Sequence, residues 1–132
     1  MAKTVSIDQL ENELTGVIKE YTENVSRGID EEVKRTADLV LKETKAKAPR
    51  RIPEYYKHFK KTEEGKVLAA YGRREYYVWN KKHYRRVHLL EFGHLKRSGK
   101  GRVDAFPHLR PAYDNNAQDL DQRIERIIRE GG

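Results

Sequence analysis

The chain has 132 residues, 37% of them charged, with a net charge of +7 and a mean hydropathy of −0.98. That length suits one domain, but Leu, Ile, Val and Phe supply only 29 residues, close to the level at which a chain stops burying enough apolar surface to fold by itself. A thin core is expected, with surface that neighbouring subunits cover, and no Cys is present to make a disulfide, a thiolate metal site or a Cys nucleophile.

The opening Met1 to Leu10 has no apolar run of signal-peptide length, and no stretch reaches the roughly 18 apolar residues of a membrane helix. The expectation is a soluble, unexported protein with no membrane partner. The charge is segmental. Lys and Arg against Asp and Glu number 7 to 10 over residues 1–46, 18 to 6 over residues 47–111 and 3 to 5 over residues 112–132. Such a basic middle block can neutralise phosphates, pair with an acidic protein surface, or simply solvate exposed strands and loops.

Read in chain order, the sequence predicts an α+β single domain over 1–132, with a helical segment over 1–47, a sheet over 54–93, a basic loop over 94–104 and a C-terminal helix over 111–130. Ser6 followed by Gln9 is a capping-box pattern, and Asp8 and Glu11 put negative charge in the first turn. Apolar residues then recur every three or four positions from Ile7 through Leu10, Leu14, Val17 and Tyr21 to Val40. The spacing changes after Tyr21 and Gly28 follows, which predicts a kink or a break near Gly28; a helix hairpin folding on itself there is the plain alternative. A small sheet cannot cover the whole stripe, so Leu10, Leu14, Val17 and Tyr21 are candidate residues for contact with another subunit. Ala48-Pro49 ends the helical pattern.

From Tyr55 onward the texture is aromatic and β-branched. A strand from Tyr55, a turn at Glu63-Glu64-Gly65, a strand Lys66–Tyr71, a turn at Gly72-Arg73-Arg74, a strand Glu75–Trp79 and a further strand Tyr84–Phe92 predict a small antiparallel sheet of three or four strands. Residues 94–104 have two glycines and no periodicity, so they read as an exposed loop in which Lys96, Arg97, Lys100 and Arg102 form a positive fringe with no single fixed geometry. After Pro111 an amphipathic helix runs to Glu130 before Gly131-Gly132.

Chemistry-bearing constellations are sparse. The histidines His58, His83, His88, His94 and His108 do not have zinc-site spacing, and neither His88 with Glu91 nor His58 with Glu54 has a nucleophile or orienting group beside it. The expectation is no catalytic residue, no metal and no cofactor. Tyr76, Tyr77, Trp79, Tyr84, Arg85 and Arg86 interleave aromatics with cations as a single-strand stacking surface does, which keeps open a nucleic-acid-binding or nuclease-type accessory protein.

Taken in order, the long helix ending in Ala46-Lys47-Ala48-Pro49, the tyrosine-rich segment, Leu89-Leu90-Glu91-Phe92-Gly93-His94, a short loop, and Ala105-Phe106-Pro107-His108-Leu109-Arg110-Pro111-Ala112 resemble the small minor tail-component family of long-tailed bacteriophages, the tail-completion or neck proteins. Members of that family typically follow the Ala-Pro with a Thr-Gly-x-Leu turn; here Arg50-Arg51-Ile52-Pro53-Glu54-Tyr55-Tyr56 stands in its place. The resemblance implies a structural virion protein of the tail or neck, made in the host cytoplasm. It would act as several copies in a ring around the DNA exit axis, beside head–tail connector, tail-terminator or tail-tube proteins, with non-specific DNA contact as a further possibility. It implies no catalysis. The residues that carry it are Glu91, Phe92, Gly93, Pro107, Leu109, Arg110 and Pro111. On chemical grounds Phe92 is expected to anchor in the core, Gly93 to adopt an unusual dihedral, and Pro107 and Pro111 to bracket an extended Leu109-Arg110 that turns Leu109 towards the sheet.

Overall fold

A computed structural model describes residues 6–66 and 73–132, with Lys66, Arg73 and Arg74 described by backbone alone. The chain is α+β, as expected from its sequence. Helix α1 (Ile7–Lys47) is 41 residues long, or about 60 Å at 1.5 Å per residue. Its start is the predicted capping box: the Gln9 amide donates to Ser6 Oγ at 3.2 Å and the Ser6 amide to Gln9 Oε1 at 3.1 Å. Its end is Ala48, whose amide donates to the Thr44 carbonyl at 2.9 Å before Pro49 stops the repeat.

No break or hairpin occurs at Gly28, where α1 runs through as one helix. The glycine has a packing reason instead, since a Cβ there would lie 2.9 Å from Ile127 Cγ2 of the C-terminal helix. The change of spacing after Tyr21 marks where α1 acquires this neighbour. Every residue from Ser6 to Tyr21 is exposed, whereas Thr36, Val40 and Thr44 are buried.

After Pro53 the chain makes a single 3-10 turn (Tyr55–His58) and enters β1 (Phe59–Lys66), which pairs antiparallel with β2 (Arg73–Asn80) from Phe59↔Asn80 to Lys66↔Arg73. The strand therefore starts four residues later than the alternation at Tyr55 suggested. Glu63-Glu64-Gly65 does not turn either: it lies within β1, opposite Tyr76, Glu75 and Arg74. The ladder with β2 outweighs the local turn preference there, and Arg73-Arg74 are strand, not turn. The predicted strand Lys66–Tyr71 falls mainly outside the described residues. Asn80 secures the open end of the hairpin: its buried side chain donates to the Tyr55 carbonyl at 2.9 Å and accepts from the amides of Lys82 and His83 at 3.1 and 2.7 Å.

The predicted strand Tyr84–Phe92 is instead a helix, α2 (Val87–Phe92). A short apolar run carries no decisive period, and here helical spacing turns Val87 and Leu90 to the core and Glu91 to a buried partner. Residues 94–104 are not an unstructured loop. They form a tight hairpin of β3 (His94–Leu95) and β4 (Arg102–Val103), closed by Lys96 and Gly99 amides donating to the Gly101 and Lys96 carbonyls at 3.0 and 2.8 Å. Among the described residues the strands thus form two separate two-stranded ladders.

The C-terminal helical segment starts earlier than Pro111 and is divided into α3 (Leu109–Ala117) and α4 (Leu120–Glu130). Arg123 serves the division: its Nη2 donates to the Asn116 carbonyl and to Thr36 Oγ1, both at 3.2 Å, while its Nε engages Glu32 of α1. Gly131, in the left-handed region, ends α4 as expected. The core is small, with Ala48, Tyr55, Phe59 and Leu90 at its centre and Leu41, Ile52, Val87 and Leu109 packed around them.

Candidate assembly surface and its buried polar anchor

The two sequence elements that carry the family resemblance are joined through one carboxylate. Glu91 is buried on α2, and its Oε2 accepts from the amides of His108 and Leu109 at 3.0 and 3.1 Å while Oε1 accepts from Arg110 at 2.8 Å. A helix N-terminus leaves its first amides without intrahelical partners. Here Glu91 satisfies three of them, and the next residue, Pro111, has none to satisfy. The negative charge also sits at the positive end of the α3 dipole. Phe106 adds a second tie by donating its amide to the Leu90 carbonyl at 2.7 Å.

Leu109 and Arg110 are thus the first turn of α3, and the expectation of an extended segment between Pro107 and Pro111 is overturned. Proline is tolerated in a first helical turn because no amide is needed there. Leu109 is half-buried against the core cluster, placed there from the first turn of α3. Gly93 has φ +72°, and a Cβ on it would meet the Val103 carbonyl oxygen at 2.5 Å. The element therefore requires glycine both for its conformation and for the close passage of the following chain. Phe92 is not a core anchor, being 71% exposed, because helical spacing sends it away from Leu90.

Behind the carboxylate, His108 is wholly buried. Its Nδ1 lies 2.8 Å from the Phe106 carbonyl oxygen and 2.9 Å from Glu91 Oε2, and its Nε2 lies 2.8 Å from Tyr55 Oη. The Phe106 carbonyl can only accept, which places a proton on Nδ1; in the neutral ring Nε2 then accepts from the Tyr55 hydroxyl. Burial, reinforced by the Glu91 charge, raises the Tyr55 phenol well above its ordinary value, which keeps it a donor. Closeness in sequence points to His88 as the imidazole to weigh with Glu91; the carboxylate's imidazole partner is His108, and His88 is exposed. The signal for it in the sequence is Pro111 three residues after His108, which marks a helix start that needs an acceptor.

All three side chains of this Glu91–His108–Tyr55 chain are buried, and both carboxylate oxygens are occupied by backbone amides. The arrangement is a clamp, with the polar groups satisfied inside it. His83 packs against the Tyr55 ring at 5.6 Å between centroids and meets His58 on its other side at 5.8 Å. Burial first, then Lys82, His58 and Arg86, hold His83 below the ordinary imidazole value. Among the described residues no group of three or more His, Asp or Glu is placed to hold a metal ion.

Over the clamp lies an open groove of about 650 Å³ between α1, β2 and the C-terminal helices, walled by Val33 and Val40 of α1, Val78 of β2, Phe92 of α2, Tyr113 of α3 and Leu120 of α4. The interleaved aromatics are split by it. Tyr76 faces the groove with its hydroxyl bonded to Asp30, whereas Tyr77 and Trp79 are exposed on the other face of the hairpin.

Of the candidate contact residues, Leu10, Leu14 and Val17 stand exposed on α1, Leu14 by 54%. Tyr21 is also exposed, but it is engaged within the chain, donating to the Ile128 carbonyl at 2.6 Å. Lys96, Arg97, Lys100 and Arg102 are exposed around the β3–β4 hairpin, on a backbone more tightly specified than a free loop. No helix among the described residues is long and apolar enough to cross a membrane. No family model, curated protein or solved structure matches the chain.

Proposed function

We propose that the protein is a structural component of a tailed-bacteriophage virion, a tail-completion or head–tail joining protein that works as several copies around the DNA exit axis. The observation that carries the reading is the Glu91 clamp. The Leu-Leu-Glu-Phe-Gly and Pro-His-Leu-Arg-Pro-Ala elements, on which the family resemblance rests, meet in space through Glu91 and the α3 amides. Residues engaged in this way are architectural, holding α2, the β3–β4 hairpin and α3 in one orientation. The exposed apolar stripe of α1 and the small core fit a chain stabilised by neighbouring copies.

In this role the β3–β4 hairpin carries Lys96, Arg97, Lys100 and Arg102 to an acidic face of an adjoining ring. A protein contact is favoured over DNA because a channel must let DNA slide, and a strong cationic grip on phosphates opposes that. The test is deletion of the gene from a phage that encodes it, followed by electron microscopy of the lysate. Filled heads and separate tails that fail to join, rescued by the chain supplied in trans, are expected. Normal infectious particles, or purified virions that mass spectrometry shows to lack the chain, would overturn the proposal.

A further inference from the structure

We infer that the exposed N-terminal part of α1 in one copy seats in the apolar groove of the next copy, so that each chain gives an arm and receives one. The inference rests on the multi-copy reading above and names the contact that would build the ring. Three features of the chain carry it.

The first is that the arm has an apolar face left exposed among the described residues. Ile7, Leu10, Leu14, Val17 and Ile18 recur at helical spacing on residues that are all exposed, Ile7 by 85%. A helical segment of this kind owes its stability to packing of its apolar face.

The second is the groove, which offers apolar walls of matching character and is rimmed by Phe92 and Tyr113, both well exposed. Its occupant cannot be the chain's own arm. Val33 and Val40 form one wall, α1 is continuous, and Glu20 lies about 20 Å up the same helix axis from Val33 at 1.5 Å per residue. The arm that fits must come from another chain.

The third is charge. Residues 7–20 carry four carboxylates against one lysine, whereas the groove adjoins, at Tyr84, a recess lined by the exposed cations Lys82, Arg85 and Arg86; Arg110, in the groove's own lining, is paired with Asp114 at 3.1 Å. An acidic arm and a basic-rimmed groove attract each other, while arm against arm and rim against rim repel, which sets the pairing as head to tail. Arm and groove are different patches, so the contact is heterologous and propagates from copy to copy until a ring closes.

The absence of cysteine makes the test direct. Variants carrying Leu14→Cys together with Phe92→Cys, or with Tyr113→Cys, are oxidised and run without reductant; a ladder of covalent multimers is expected, and its absence from both pairs would overturn the inference. In parallel, native mass measurement compares the parent with Leu14→Asp on the arm and Tyr113→Glu at the groove. Both positions are exposed, so the monomer fold should be kept, as circular dichroism will show. Each variant alone is expected to be monomeric, and their mixture to give a one-to-one dimer, since only one intact arm and one intact groove remain. Reversal of Arg85 and Arg86 to Glu should abolish assembly and be rescued by Asp8→Lys with Glu11→Lys. A parent that forms multimers which Leu14→Asp leaves unchanged would sink this contact and leave the multi-copy reading standing. A parent that is monomeric at every concentration would sink both.

Discussion

Among single residues the strongest constraint is Glu91. One ionised side chain satisfies three backbone amides and orients a buried imidazole. Substitution by Ala leaves those donors without an acceptor in a site water does not reach, so Glu91→Ala should destabilise the fold by about 3–5 kcal/mol. Glu91→Gln keeps the shape and one carbonyl oxygen but loses the charge, and about 2 kcal/mol is expected from the weakening of charge-assisted bonds. Glu54→Gln, at an exposed carboxylate paired with Lys57 at 3.5 Å, should change stability by less than about 0.5 kcal/mol. Urea unfolding followed by Trp79 fluorescence and circular dichroism measures all three. Equal effects at positions 91 and 54 would show that the clamp contributes nothing.

Among the elements, α1 is one helix with two environments, and its glycines report on them. A Cβ built on Gly16 meets no atom of the described residues within 4 Å beyond its own helix backbone and chain neighbours, while at Gly28 the same atom lies 2.9 Å from Ile127 Cγ2. Ala at an open helical position gains roughly 1 kcal/mol of helix propensity over Gly. Gly16→Ala should therefore stabilise the arm by about that much, read as higher helicity near the thermal midpoint. At Gly28 the gain is opposed by overpacking against a β-branched side chain of limited freedom, typically about 1–3 kcal/mol. The expected net result is a lower midpoint and weaker docking of α4. If the two substitutions act alike, α4 does not pack on α1 as described.

Across the molecule as a whole, the excess positive charge is gathered in the middle of the sequence, and the fold distributes it to separate surfaces. Lys60 and Lys61 lie near the rings of Trp79 and Tyr76 and Arg50 lies over Tyr56, while the hairpin cations project outward. On the proposed role, replacing Lys96, Arg97, Lys100 and Arg102 together by Ser should leave stability within about 0.5 kcal/mol, since all four are at the surface. Virions should then yield heads and tails that form but do not join. If the hairpin grips DNA instead, non-specific affinity should drop, with the salt slope falling by about 0.9 for each phosphate that is no longer neutralised. No change in joining or in DNA affinity would leave the hairpin a solvated connection only.

The features legible from residue order alone are those whose causes lie within a few residues. Ser6 with Gln9 starts α1, Ala48-Pro49 stops it, Gly93 takes a positive φ, and Gly131 ends α4; caps, prolines and glycines act on their own turn of chain. The α+β class is legible for the same reason, through periodicity that changes after Pro53. Packing between distant segments settles the rest. The run from Val87 to Phe92 has no decisive period of its own, and it becomes helical where Leu90 can enter the core and Glu91 can reach amides 17 to 19 residues ahead. Glu63 to Gly65 has the makings of a turn until β2 pairs across it. The Tyr55–His108 bond spans 53 residues, and the groove collects side chains from four helices and a strand. Contacts of that separation depend on where the whole chain places two segments, which no local pattern encodes.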